Sequence, residues 1–337
     1  WNLIGLGNHA SRLLDPNNII ISNLYYFDNS SETYKNVTYI EVDSVREYSL
    51  QKNVGYWCKI RADATSLQLT LTYNYLVASQ ATVNNIPLFI LKIENIDSYS
   101  KDRIDTFIEQ VEQSVTIMNT LFEPVQSGVD TQVITTSLQS DSVLDGSLGQ
   151  AGGGVIEIND SNTGSYGLGY TLGTNGLQNL SQNIAVIIHE IMHVLGFGLG
   201  SKWNDLTDDS SAPNYFYTGS NGATNYNALV NNLYSSDPDL VNLPIYTKIP
   251  IEDDGGSGTA GAHLEEDEIR VEVVNGGSDI RYPCFPRELM SGYLKGNNYI
   301  STITLGIFED LGYSVKYDSD YVTIPPIYPT NISDLLS

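Results

Sequence analysis

The chain has 337 residues and a formal net charge of −24, from 16 basic and 40 acidic side chains. Apolar residues make up 41% and charged residues 17%, which excludes a disordered chain. Because so acidic a surface repels phosphate groups, nucleic acid and anionic membranes are poor partners. No apolar run approaches the ~18 residues of a membrane span, so no transmembrane segment is predicted.

The first 87 residues are predicted to form a β-rich N-terminal segment. Apolar and polar side chains alternate from Leu67 to Tyr75, which is typical of a half-buried strand. Near residue 88 the pattern changes, and a second domain is expected over 88–320. Residues 321–337 are expected to form a C-terminal tail.

The second domain is predicted to mix strands with helices. Apolar residues at helical spacing predict a helix over 104–121, with Ser100 or Asp102 as its cap. Strands are predicted at 88–93, 131–138 and 155–158, and further helices at 180–195 and 301–311. Residues 199–262 are expected to be a loop-rich insertion with one short helix near 223–233. This order indicates an α+β fold or an α/β sandwich, of which we favour α+β.

The most informative segment lies in the helix predicted at 180–195, where residues 189–193 read His-Glu-Ile-Met-His. His189 and His193 are four positions apart, so a helix directs both imidazoles to one side. This is the spacing of two nitrogen ligands of a tetrahedral zinc ion. Glu190 lies beside them and suits a base that takes a proton from zinc-bound water. The rest of the helix is apolar, so these polar side chains are expected there only if something pairs them.

A third ligand has to come from another part of the chain. Gly196 can end the helix in a left-handed turn, which would send the chain back below the site. Position 199 is leucine, which excludes the compact motif whose third histidine follows six residues after the second. The remaining histidines are His9, expected on the surface, and His263, which lies in a Gly- and Ala-rich run suited to a close approach. Met290 is a candidate for a methionine in a tight turn beneath three histidines.

These segments, taken in order, resemble the leishmanolysin-like metallopeptidases, in which a long insertion precedes the third histidine. The matching stretches are the helix motif through Gly198 and residues 217–223, 255–263, 288–293 and 302–313. The resemblance implies that His189, His193 and His263 bind zinc, that Glu190 is the general base and that Met290 forms the Met-turn.

The resemblance also implies a metzincin-type zincin fold for residues 88–320. An upper subdomain over 88–198 would hold a twisted sheet and the active-site helix, followed by the insertion at 199–262. A mostly irregular lower subdomain would cover 263–320. Residues 1–87 have no counterpart in the family core, so they are expected to be an accessory or a retained pro-segment.

Two further groups of residues and one single residue, Tyr293, have open alternatives. The interval from His263 to Met290 is longer than we expect in the family and holds an acidic run at 265–272, expected to be a solvated face. The alternatives for that run are a Ca²⁺ site or a rim that favours basic substrates. Cys58 and Cys284 are expected to form a disulfide, to be two buried free thiols, or to leave Cys58 as a ligand at the open zinc position of a latent enzyme. Tyr293 is expected to pack, with a role at the oxyanion as the alternative.

The predicted function is that of a zinc endopeptidase, which hydrolyses protein or peptide substrates through a zinc-bound water with Glu190 as general base. The substrate is expected to add a strand to the sheet edge near 155–158. The alternative is an extracellular or cell-surface structural or adhesive protein, capable of self-assembly, on the same scaffold. The start at Trp1 and several Asn-x-Ser/Thr sequons lead us to expect a processed, secreted or surface-located form.

Overall fold

The computed structural model describes residues 2–5, 12–16, 21–28, 33–36, 39–42, 45–49, 55–60, 71–72, 75–96, 98–162, 167–171, 177–211, 214–256, 258–274 and 279–336. Up to residue 76 the description is one of the backbone. The chain divides into two compact units. The first comprises Trp1–Leu76 with Leu91–Ile96, and the second comprises Val77–Ile90 with Asp97–Ser337. The predicted domain limits at residues 87, 198, 262 and 320 stay predictions.

Up to residue 72, the described residues of the first unit all lie in strands. They are β1 Asn2–Gly5, β2 Arg12–Pro16, β3 Ile21–Asp28, β4 Thr33–Asn36, β5 Tyr39–Val42, β6 Val45–Ser49, β7 Gly55–Ile60 and β8 Leu71–Thr72. Two antiparallel sheets result, with the strand orders β1-β7-β3-β4 and β5-β6-β2-β8. Most of the strand predicted from Leu67 to Tyr75 lies outside the described residues.

The chain from residue 75 to 159 supplies the sheet and the first long helix. Its elements are β9 Tyr75–Ala78, β10 Thr82–Val83, β11 Ile86–Pro87, β12 Phe89–Ile93, α1 Lys101–Leu121, β13 Val125–Gln126, β14 Gln132–Gln139, α2 Asp141–Leu144, β15 Gly149–Gly152 and β16 Val155–Asn159. The predicted helix at 104–121 is confirmed as α1, which begins after Ser100. Its apolar residues Phe107, Val111, Val115, Met118 and Leu121 are buried, because they repeat on one face.

The sheet edge differs from the prediction. β16 pairs in parallel with β14 on one side and antiparallel with β15 on the other, so it lies inside the sheet and β15 is the edge strand. Gly153 and Gly154 connect β15 to β16 with φ angles of 56° and 80°, the two-residue hairpin that such angles favour. The expected edge near 155–158 is therefore wrong by one strand. The short run Gly-Gln-Ala-Gly has little β propensity, so sequence pattern did not reveal it.

The rest of the second unit contains more order than predicted. Its elements are β17 Gly169–Thr171, β18 Leu177–Asn179, α3 Gln182–Val194, α4 Gly200–Asp205, β19 Thr207–Ser211, β20 Asn214–Tyr217, α5 Ser220–Leu233, a 3₁₀ helix Pro238–Asn242, β21 Ile249–Ile251, β22 Arg270–Glu272, β23 Ile280–Tyr282, α6 Thr302–Asp310 and α7 Ser333–Leu336. The predicted helices at 180–195 and 301–311 are confirmed as α3 and α6. Ser301 caps α6, because its hydroxyl oxygen accepts a hydrogen bond from the Ile303 N–H.

The insertion at 199–262 was predicted to hold one short helix, but it contains α4, α5 and the antiparallel sheet β19-β20-β21. Its buried aromatic residues pack against one another and against aromatic residues outside the insertion: Trp203, Phe216, Tyr217, Tyr226 and Tyr246. These aromatics are irregularly spaced, so no periodic signal precedes them. The mixture of helices and sheets confirms the α+β class. Among the described helices, none is long and apolar enough to cross a membrane.

Candidate metal centre

Helix α3 ends where the chain needs to reverse. Gly196 and Gly198 have φ angles of 108° and 73°, a region that favours glycine, so the left-handed turn predicted at Gly196 is confirmed. A Cβ atom at Gly198 would lie 2.2 Å from the Ala262 carbonyl oxygen. Because glycine has no such atom, the backbone preceding His263 can pass directly beneath the end of α3.

Three histidine side chains converge at this place. The Nε2 atoms of His189 and His193 are 3.0 Å apart, those of His193 and His263 are 3.0 Å apart, and those of His189 and His263 are 3.2 Å apart. All three residues are at most 9% exposed. The three histidines that the sequence predicted as ligands therefore lie together, whereas His9 lies outside the described residues.

The opposite ring nitrogen of each histidine bonds to a backbone carbonyl. His189 Nδ1 lies 2.8 Å from the Leu289 oxygen, His193 Nδ1 2.8 Å from the Phe197 oxygen and His263 Nδ1 2.9 Å from the Thr259 oxygen. Since a carbonyl oxygen can only accept, each Nδ1 carries the proton and each Nε2 is left with a bare lone pair. Three lone pairs thus face one another without a proton between them.

This donor set fits a zinc ion. Each pair of Nε2 atoms is closer than twice the ~2.0–2.1 Å zinc–nitrogen bond, so one tetrahedral ion can reach all three. The Nδ1–carbonyl hydrogen bonds are the outer contacts that orient histidine ligands. Burial, together with the charges of the neighbouring imidazoles, lowers the pKa of His189 well below its usual value and that of His193 to about 3. Burial also lowers the pKa of His263. All three rings are therefore neutral at pH 7, which is the protonation state that binds a metal.

Glu190 lies beside the three histidines and against the edge strand. It is 5% exposed, and burial raises the pKa of its carboxyl group to about 8. A Cβ atom at Gly149, in β15, would lie 2.9 Å from Glu190 Oε1. The cleft around these groups has a volume of about 630 Å³ and is lined by residues 145–151 of the edge region, by α3, and by parts of the segments 255–263 and 291–294.

Met290 is fully buried in a turn below the histidines. The Ser291 N–H donates to the Glu288 carbonyl oxygen across this turn, and the Met290 carbonyl oxygen accepts from the Leu264 N–H at 2.9 Å. The preceding carbonyl, that of Leu289, is the partner of His189 Nδ1. The turn therefore contacts the segment of the third histidine and orients the first histidine.

Glu288 is a structural residue of the site that the sequence analysis missed. Its Oε2 accepts from the Met290 N–H at 2.6 Å, while its Oε1 accepts from the Ser301 N–H, the Ser301 hydroxyl and the Thr304 hydroxyl at 3.0, 2.8 and 2.5 Å. Burial raises the pKa of this carboxyl group, although the hydrogen bonds act in the opposite direction. The signal available in the sequence was an acidic residue two positions before the predicted Met-turn methionine.

The acidic run after His263 is only partly solvated. Glu265 and Glu266 are 2% and 1% exposed, so the prediction of a solvated face is wrong for these two, whereas Asp267 and Glu268 are exposed. Arg270 binds the carboxylates of Glu265 and Asp253, which explains how Glu265 can be buried. Carboxylate oxygens of Glu252, Asp253 and Glu265 lie within 4.8 Å of one another, but Arg270 already pairs with two of these residues, so a calcium site is not supported.

The cysteines and Tyr293 complete the set of predicted residues. Cys284 is a buried free thiol in the structure, not half of a disulfide. The side chain of Cys58, in β7, lies outside the described residues, so its alternative as a zinc ligand stays a prediction. Tyr293 lines the cleft and is 48% exposed, with its hydroxyl oxygen beside Gly255.

Comparison with known proteins gives one informative match. Residues 177–324 match the family model described as leishmanolysin, the M8 peptidase family. No curated protein matches the chain. Among solved structures, an aminopeptidase N family protein from Idiomarina loihiensis shows 9% identity over 57% of this chain and 44% of that chain, and its TM-score of 0.16 is too low to support an argument. The matched segment, which contains the three histidines, Glu190 and Met290, is therefore similar to the leishmanolysin-like metallopeptidases over somewhat less than half of the chain.

Proposed function

We propose that the protein is a zinc-dependent endopeptidase, with His189, His193 and His263 as zinc ligands and Glu190 as general base. One observation carries this proposal: three bare imidazole nitrogens converge within 3.2 Å of one another beside a buried carboxylate in an open cleft. The proposed Met-turn at Met290 supports it, because its backbone contacts both the first and the third histidine segments.

The residues of the chain have separate tasks in the proposed reaction. Zinc held by the three imidazoles would supply Lewis acidity, which activates water and polarises a peptide carbonyl. Glu190 would accept a proton from the attacking water and return it to the leaving amine. Burial raises its pKa to about 8, whereas the positive charge of a zinc ion bound beside it would favour the ionised form that accepts a proton.

The edge strand β15 is proposed to dock the substrate through residues 149–151, which line the cleft, and not through its last residue, Gly152. It is the outermost strand of its sheet in the described structure, and three of its residues, Gly149, Gln150 and Ala151, line the cleft. An extended peptide can add to such an edge through main-chain hydrogen bonds. A peptide bound there would run past Glu190 and the three histidines.

A digestion assay tests the proposed function. The protein is incubated with an unfolded protein substrate as purified, after removal of metal with a chelator, and after addition of Zn²⁺, with Ca²⁺ alone as the control. We expect one zinc per chain, loss of cleavage on chelation and recovery with Zn²⁺ only. Mass spectrometry of the products should show internal cuts, whereas stepwise loss from one terminus would contradict an endopeptidase.

The alternative, a structural or adhesive protein with self-assembly, is not favoured by any contact among the described residues. Zinc-loaded protein that leaves every unfolded substrate intact would overturn the proposed function and favour this alternative. A secreted or surface location remains part of the proposal, and it rests on the resemblance to the leishmanolysin-like family.

A further inference from the structure

We propose that Gly149 is a positioning residue for Glu190, and that the edge strand β15 thereby aligns the general base. This inference rests on the proposed function, since it assigns to one residue a part in the reaction. It starts from a close approach between the strand and helix α3, which the absence of a side chain at position 149 makes possible.

The space around Gly149 is closed on three sides. A Cβ atom there would lie 2.6 Å from Val186 Cγ1, 2.9 Å from Glu190 Oε1 and 3.2 Å from the Glu157 carbonyl oxygen. Real Cβ atoms essentially never come within 3.0 Å of a heavy atom outside their own residue and its two chain neighbours. Any larger residue at position 149 therefore forces one of these atoms to shift. The φ angle of Gly149 is not in the left-handed region, so the requirement is for space and not for a special backbone conformation.

The three neighbours of Gly149 differ in how freely they can move. The Glu157 oxygen belongs to the backbone of β16, which is paired on both sides. Val186 is 2% exposed on α3, and its β-branched side chain is restricted at χ1. Glu190 Oε1 is the end of a flexible side chain, so a methyl group at position 149 would displace the Glu190 carboxylate first.

Gly149 also lies on the strand to which the substrate is proposed to bind. Its Cα is paired with Ile158 of β16, and it lines the cleft together with Glu190. The substrate and its proton acceptor would therefore both be located relative to the same strand. The space that Gly149 leaves free lets the carboxylate lie close to the strand and to the bound peptide, which is the alignment that proton transfer requires.

The chain offers a matched control within the same strand. Gly152 is the last residue of β15, and a Cβ atom there would have no atom within 4 Å. Gly149→Ala and Gly152→Ala thus add the same methyl group to one strand. The methyl group collides with its neighbours at position 149 and has free space at position 152. Both variants are compared with the parent protein for kcat, KM, zinc content and thermal unfolding.

We expect Gly149→Ala to lower kcat by about 10²-fold, the loss typical of a misplacement near 1 Å, with KM within about twofold and full zinc content. Gly152→Ala should keep the parental kcat. The double variant Gly149→Ala with Val186→Ala lacks the rigid Val186 side chain. Its kcat should be at least about tenfold higher than that of Gly149→Ala. Val186→Ala by itself should give no gain.

Three results would overturn the inference: a parental kcat for Gly149→Ala, an equal loss in Gly152→Ala, or no recovery in the double variant. Crystal structures of the two glycine variants give a readout that does not depend on activity. They should show the Glu190 carboxylate displaced in Gly149→Ala and unmoved in Gly152→Ala. If the parent protein cleaves nothing, the proposed function fails, while these structures still decide whether Gly149 positions Glu190.

Discussion

The two halves of the candidate metal centre are held in place by different means. His189, Glu190 and His193 lie on one helix, where a spacing of four residues brings the two imidazoles together. His263 lies outside helices and strands, and only tertiary contacts bring it to the other two. The helical half depends on local geometry, whereas the loop half depends on how several backbone segments pack.

The loop half has a specific set of contacts. The His263 carbonyl oxygen accepts from the Glu252 N–H at 3.0 Å, and the next residue donates to the Met290 carbonyl oxygen. Its Nδ1 bonds to the Thr259 oxygen, and Ala262 passes against Gly198. Small changes in these segments should therefore weaken the third ligand while leaving the two helical ligands in place.

The largest effects on activity are expected within the helical half, where one substitution should remove proteolysis and leave zinc binding unchanged. Glu190→Gln preserves volume and removes the base, so proteolysis should fall at least about 10²-fold while zinc content stays parental. His193→Ala removes a ligand, so zinc and activity should fall together. The measurement is zinc per chain beside cleavage rate for each variant. A Glu190→Gln protein that digests substrate at the parental rate would refute the proposed base.

A smaller effect is expected at Glu288, beneath the loop half. Glu288→Gln replaces one accepting oxygen by an NH₂ group, so at least one buried donor loses its partner, at a cost of about 1–3 kcal/mol in the free energy of unfolding. Glu309→Gln, in the neighbouring helix α6, is the control. Its carboxylate accepts only from the exposed Tyr317 hydroxyl among the described contacts, so we expect a change within about 0.5 kcal/mol. Urea unfolding of both variants provides the comparison, and equal changes would contradict the role of Glu288.

Gly292 tests the loop half directly. A Cβ atom there would lie 2.3 Å from Thr259 Cγ2, so Gly292→Ala should displace the residue whose carbonyl orients His263. Loss of such an outer contact typically weakens metal binding about tenfold or more. Gly258→Ala is the control, because a Cβ atom there has no atom within 4 Å. Competition with a chelator measures the zinc Kd of both variants, and unchanged affinity in Gly292→Ala would remove the distinction between the two halves.

The smallest functional effect is expected at the cysteines. Burial raises the pKa of the Cys284 thiol, so it should react with thiol reagents very slowly in the folded protein. In denaturant without reductant, two thiols per chain should react. If neither reacts until a reductant is added, Cys58 and Cys284 are bonded, and Cys58→Ser would then release one thiol.

Local pattern was sufficient for the helices and for the helical half of the site. Helices α1, α3 and α6 were predicted from signals that act within a few positions of one another, such as the helical spacing of the apolar residues of α1 and the glycine that follows α3. The identity of the third histidine was also predicted, since only four histidines occur and the ordered motifs resemble one family.

Tertiary structure alone decided the remaining features. The edge strand β15 pairs through its backbone in spite of a Gly-Gln-Ala-Gly sequence, and the aromatic core of the insertion has no periodic spacing. Glu265 is buried because Arg270 pairs with its carboxylate. Glu288 is buried because helix α6 and its capping residue Ser301 supply three of the four hydrogen-bond donors to its carboxylate. Each of these features depends on a group distant in sequence that pairs with a charge or a strand edge, or covers an apolar surface. The periodicity of the sequence does not identify that group.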